Sequence, residues 1–131
     1  VKSGLEFLSL EVANRWERII DEAVQGPSVL FNPNGYVVTA FQAALAAIIE
    51  TPIPAQNPSR HLADSLETAV RIGDDCDTVA AIAGSFLGAR WGAEAIPEPW
   101  RALIHGSRQN LSPTLQFSDL TDLVERAMQK Q

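Results

Sequence analysis

A single cysteine, Cys76, in a chain of 131 residues rules out an internal disulfide. A reducing cytoplasm is therefore the expected compartment. No apolar run approaches the roughly 18 residues needed to cross a bilayer, so no membrane span is expected. Positive charge is scarce too. Ten Lys and Arg against sixteen Asp and Glu leave a net charge of -6 and a pI near 4.8. A nucleic-acid-binding surface would be basic, so such partners are not expected. The opening VKSGLEF has neither an initiator Met nor the apolar stretch of a signal peptide, which suggests a processed chain or a fragment. Alternating strand patterns, internal repeats and low-complexity tracts are absent as well.

What is present suffices for one domain of ordinary size: 46% of the residues are hydrophobic. The pattern is helical throughout, and the fold class it predicts is all-α. Leu5, Leu8, Val12, Trp16, Ile19, Ile20 and Ala23 recur at spacings of three and four, as an amphipathic helix requires. Gly26-Pro27 stops that helix, and FNPNG at 31–35 is too rich in Pro, Asn and Gly to be regular. A second helix over 36–50 puts Val37, Phe41, Ala44, Leu45 and Ile48 on one face and ends before Pro52 and Pro54. A third, with Ser59 as its cap, turns Leu62, Leu66, Ala69 and Val70 inward and sets Glu67 near Arg71. The segment AIPEPW leaves room for a short helical piece over 100–104. His105-Gly106 opens a polar loop, and Ser118 caps a last helix with Leu120, Leu123, Val124 and Ala127 on one side.

Between the third helix and the next lies the densest chemistry in the chain. Gly73 breaks the helix, and Asp74, Asp75, Asp77 and Thr78 follow on a turn. Asp75 and Asp77 are two apart, so in an extended turn both carboxylates can reach one cation, and Thr78 can add its hydroxyl. Such a donor set suits Mg²⁺ or Mn²⁺, whereas Zn²⁺ prefers nitrogen and sulfur. The plainer reading is a helix cap, with Asp77 or Thr78 accepting the free N–H groups of a helix over 79–91. An EF-hand loop would need Asp or Asn at 79 and Gly at 80, which Val79 and Ala80 exclude. The string Asp75-Cys76-Asp77-Thr78-Val79 is also like the nucleophile motif of haloacid-dehalogenase-type phosphatases. That motif leaves a buried strand, whereas this one follows an amphipathic helix.

The helix after the turn carries Ala80, Gly84, Gly88 and Gly92 four apart, with Ala81, Ser85 and Ala89 on the adjoining stripe. Being apolar nearly all round, it belongs at the centre of a bundle, holding the acidic turn rigidly. Trp16, Trp91 and Trp100 are expected as core anchors, and His61 and His105 as surface or capping residues. Arg90 is placed to meet a phosphate or, on the plainer reading, to pair with Glu94 at i+4. Cys76, between two carboxylates, is expected to be a small, partly buried residue and not a nucleophile. Tyr36 is equally a core residue and a platform for an adenine ring.

GDDCDTVAAIAGSFLGARWG followed by AIPEPW resembles the C-terminal signature of the ADP-ribosylglycohydrolases. The family's Asp-x-Asp-Thr metal motif is similar to Asp75, Asp77 and Thr78, and its Ile-Pro-x-x-Trp ending to 96–100. Upstream, NGYVVTAFQAALAAI resembles the family's Gly-Tyr-rich loop and the helix after it. The resemblance implies a compact orthogonal bundle of about five or six helices. It implies a two-metal Mg²⁺ centre, Mn²⁺ being the alternative, and hydrolysis of the glycosidic bond between ADP-ribose and an acceptor. It gives Asp75, Asp77 and Thr78 as metal ligands and Asn34, Gly35 and Tyr36 as neighbours of the bound ADP-ribose; it names no catalytic residue. ADP-ribose or an ADP-ribosylated protein is then the expected partner. Nothing before Asn32 resembles the family's N-terminal metal and acidic motifs, so the chain looks like the C-terminal half alone. An exposed apolar face follows from that expectation, with self-association or pairing with a separate N-terminal half to cover it. The rival is a non-catalytic, truncated relative acting as a helical binding or interaction module.

Overall fold

The computed structural model describes residues 2–108 and 111–129. Contacts cluster into two compact units, Val1–Ala95 and Ile96–Gln131. The class is all-α: six α-helices and one short hairpin lie among the described residues. No helix there is long and apolar enough to cross a membrane.

In the first unit, Lys2–Phe7 forms a 3₁₀ turn and α1 covers Leu10–Gln25. The helix expected from Leu5 onward thus starts later, because Ser9 is extended (φ -62°, ψ 152°) and its carbonyl accepts the first helical N–H, from Ala13. Leu8 and Val12 lie exposed, and Ile20 and Ala23 point into the core. After Gly26 a second 3₁₀ turn, Ser28–Phe31, leads toward α2, Val37–Glu50. Ser28 fastens that turn, its N–H and hydroxyl both donating to the Glu50 carboxylate at 2.7 Å. α3 covers His61–Arg71 and α4 covers Cys76–Trp91.

The centre of this unit is α2. Ala40, Ala43, Ala44, Ala46 and Ala47 are all buried, and α1, α3, α4 and the Ser28–Phe31 turn pack around them. Alanines on every side let the neighbours come close. The expectation that the small-residue helix fills the centre is corrected here. α4 buries one stripe, Val79, Ala83 and Leu87, and leaves Ala81, Ser85, Phe86 and Ala89 exposed. A methyl built on Gly88 meets nothing within 4 Å, and one on Gly84 meets only Leu66 Cδ2, at 3.7 Å. Ile20, Ala23 and Leu45 form a cluster with Leu5, Phe31 and Phe41. Phe41 meets Trp16 edge-on at 5.8 Å and Phe86 at 6.3 Å, favoured aromatic arrangements.

His61 is not a surface residue. It is 2% exposed and stands where α2, α3 and α4 meet. Trp91 Nε1 donates to its Nδ1 at 3.3 Å. Because an indole N–H only donates, Nδ1 is the acceptor and Nε2 carries the proton. That Nε2–H faces the carbonyls of Ile48 and Thr51, each at 3.1 Å. The imidazole thereby satisfies carbonyls that the end of α2 leaves without a helical donor. The inward face of α3 is His61, Leu62, Ser65 and Ala69, and Val70, expected inside, is exposed. A stripe that includes His and Ser is invisible to a search for apolar periodicity. Ser59, expected to cap α3, lies in a 3₁₀ turn and donates to Asn57 Oδ1. Arg90 lies over the Trp91 ring at 4.8 Å, and Arg71 pairs with Glu67 at 3.8 Å.

The second unit contains α5 (Glu98–Leu103), strands β1 (His105–Arg108) and β2 (Leu111–Gln116), and α6 (Phe117–Met128). The hairpin replaces the expected polar loop. It is antiparallel, with His105 opposite Gln116 and Gly106 opposite Leu115. Four and six residues, interrupted by Gly106 and Pro113, carry too little alternation to be read. Proline is tolerated because both strands of a two-stranded ribbon are edges. Gln116, not Ser118, starts α6. Its side chain accepts the N–H of Asp119, whose carboxylate accepts the Gln116 N–H at 2.7 Å. Trp100 is exposed and not a core anchor, and Leu120, Leu123 and Val124 are exposed on α6.

Candidate functional site

α3 ends at Arg71, and the chain must reverse before α4 begins. Gly73 supplies a left-handed residue (φ +80°), which costs glycine nothing. Asp74 follows at φ +56°, a region that Asp enters more readily than most side chains. Asp75 then stands at the start of α4, its carbonyl taking the N–H of Val79 at 3.2 Å. The helix therefore begins at Cys76, and the expected caps, Asp77 and Thr78, lie inside its first turn. Cys76 is half-buried and donates its N–H to the Asp74 carbonyl at 2.9 Å.

Asp75 and Thr78 are brought together. The Thr78 hydroxyl donates to Asp75 Oδ1 at 2.9 Å, on an exposed surface. Asp77 is exposed in the same turn. Both carboxylates sit at the positive end of the helix dipole, which favours each by about 0.3–1 kcal/mol. Asp74 is differently employed: its Oδ2 accepts the backbone N–H of Asn34 at 3.0 Å.

Among the described residues no three His, Cys, Asp or Glu side chains converge as a metal cage. The local donor set is two carboxylates and one hydroxyl, all hard oxygens. In kind it would suit Mg²⁺ or Mn²⁺, with further oxygens needed from elsewhere.

The FNPNG loop lies directly against this turn. Asn34 is fully buried, and both ends of its carboxamide are used. Nδ2 donates to the Gly73 carbonyl at 3.2 Å, and Oδ1 accepts the Asp75 N–H at 2.9 Å. Asn32 adds a bond from Nδ2 to the Ile72 carbonyl at 3.0 Å. Gly35 and Tyr36 follow on the exposed side, Tyr36 being 63% exposed and not a core residue. The Tyr36 carbonyl starts α2, accepting from Ala40 N–H and the Thr39 hydroxyl at 2.9 Å each. The two segments singled out in the sequence are therefore adjacent in space. Sequence reasoning missed that Asn32 and Asn34 are the fasteners. The available signal was two Asn flanking Pro33 in an irregular loop, where Asn side chains habitually bond backbone.

The sequence model of the ADP-ribosylglycohydrolase family matches residues 1–131. The chain is similar to the ADP-ribosylarginine hydrolase Tri1 of Serratia proteamaculans (strain 568) and to that of Pseudomonas putida (strain GB-1). Each is 36% identical over 67 residues. That stretch is 51% of this chain and 16% of either relative, so the match covers a small part of each relative's length. No solved structure matches.

Proposed function

The chain belongs to the ADP-ribosylglycohydrolase family, and from this we propose that it contributes a ligand-binding half-site to metal-dependent hydrolysis of an ADP-ribose glycosidic bond. The observation that carries this reading is the junction itself. Asp75, hydrogen-bonded to Thr78, is pinned beside the exposed Gly35–Tyr36 segment by a buried Asn34. In this reading Asp75, Asp77 and Thr78 hold Mg²⁺ or Mn²⁺ through oxygen. When bound, such an ion supplies polarisation of a ribose hydroxyl or a water. Tyr36 offers an exposed aromatic face to a nucleobase, and the Gly35 backbone, with no side chain, leaves a ligand free to approach.

The activity for which the two relatives are named favours an arginine-linked ADP-ribose as the substrate. The protein's site of action, in this reading, is the cytoplasm. A second reading has one observation in its favour, the lack of a three-residue metal cage among the described residues. It makes the chain a non-catalytic ADP-ribose-binding or interaction module.

Calorimetric titration of ADP-ribose with and without Mg²⁺, on the wild-type chain and on Asp75→Ala/Asp77→Ala, separates these readings. Binding that needs both the metal and the two carboxylates supports the first. Binding indifferent to both supports the second reading as an ADP-ribose-binding module, and no binding by the wild type counts against the first and supports the second as an interaction module.

A further inference from the structure

We propose that Asn34 is a positioning residue for the acidic turn and not a contact to the ligand. This inference rests on the metal reading of Asp75, Asp77 and Thr78. A ligand contact would need an available amide, and Asn34 is 0% exposed with its carboxamide bonded at both ends.

The carboxamide bonds the turn as a neighbouring strand would. One end donates to the carbonyl of Gly73 and the other accepts the N–H of Asp75, while the Asn34 backbone N–H reaches the Asp74 carboxylate. All three bonds clasp the turn's two residues with positive φ, Gly73 and Asp74, and the residue that opens α4. Few other side chains fill this role. Asp lacks the donor, Ser lacks one end, and Gln is one methylene longer than the gap. A donor–acceptor pair two residues apart on the turn is matched by the two ends of one planar amide.

The consequence for the site is direct. Asp75 carries a proposed metal-binding carboxylate, and its own N–H is the group that Asn34 holds. Releasing that N–H frees the turn to rotate, and the Asp75 carboxylate leaves the place where Thr78 meets it. Outer-shell partners of metal ligands typically account for roughly 10- to 100-fold in metal affinity.

The test is Mn²⁺ affinity of the whole chain, read by the electron paramagnetic resonance signal of free Mn²⁺. Wild type, Asn34→Ala, Asn34→Asp and Asp75→Ala/Asp77→Ala are compared below each variant's own melting temperature. Far-UV circular dichroism checks that each is folded. The expected result is binding by the wild type, loss in the double variant, and affinity weakened roughly 10- to 100-fold in Asn34→Ala at unchanged helix content. Asn34→Asp keeps the size of the side chain and carries the same comparison should Asn34→Ala fail to fold. Wild-type affinity in a folded Asn34 variant overturns the positioning role and leaves the metal reading intact. Absence of Mn²⁺ binding in the wild type, or its persistence in the double variant, overturns the metal reading and this inference with it.

Discussion

The two ends of α4 are fastened by similar devices to different purposes. At its C-terminal end, Trp91 reaches the imidazole of His61, which in turn holds the last carbonyls of α2. At its N-terminal end, Asp75 is held by the carboxamide of Asn34, which stands just ahead of α2. Each joint is one buried, neutral, planar side chain that both donates and accepts. The His61 joint is closed: its ring nitrogens meet two carbonyls and an indole N–H. The Asn34 joint is half open, because Asp75, which it holds, is only half-buried, and Asp77 and Thr78 beside it are exposed. A buried joint whose surroundings are saturated stabilises; one that borders exposed oxygens also leaves them within reach of solvent.

The largest expected effect is at the His61 end. His61→Ala removes a buried ring and leaves α2 carbonyls and the Trp91 N–H without partners, costing about 3 kcal/mol. Chemical denaturation measures this, and Mn²⁺ affinity of the folded variant should stay at the wild-type value. A loss of affinity there would dissolve the distinction between the two ends. Asn34→Ala should cost less stability, about 1–2 kcal/mol, from the same experiment, while moving the metal readout. Gly73→Ala sharpens the point: a methyl there meets nothing within 4 Å, so its cost is backbone strain at positive φ alone, about 1 kcal/mol in thermal unfolding. The smallest effect has the opposite sign. Gly88→Ala enters open space in a helix interior and should stabilise the chain by about 0.5–1 kcal/mol. Destabilisation at Gly88 would mean that this face of α4 is covered in solution.

Much of this arrangement was legible before the structure. Gly26-Pro27, Gly73 and Gly92 mark the ends of α1, α3 and α4 because chain breakers act locally. The acidic turn stood out because three carboxylates within four positions are a local fact too. What escaped was non-local. His61 looks like a polar residue at a helix start, and only the approach of the α2 end and Trp91 makes it a core residue. The family resemblance gives Asn34, with Gly35 and Tyr36, as a neighbour of the ligand, yet its partners lie some forty positions along the chain. α4 looked central because its composition is apolar all round, but composition does not say which faces find neighbours. The hairpin of the second unit and the start of α6 at Gln116 were missed for a different reason: short strands and an uncommon capping residue give a weak pattern.

One consequence of the Asn34 joint concerns the ageing of the protein. Asn34 precedes Gly35, and in such a pair the next backbone nitrogen readily attacks the side-chain amide carbon and expels ammonia, because glycine puts nothing in its path; water then opens the ring to an acidic residue. Cyclisation requires the carboxamide carbon to swing toward that nitrogen. Here the carboxamide is held from both ends by Gly73 and Asp75, turned to the other segment. The bonds that shape the turn thus also protect the chain from deamidation. The reaction is confined to moments when the loop and turn part. Its product, an acidic residue facing the Gly73 carbonyl, would oppose their closing again.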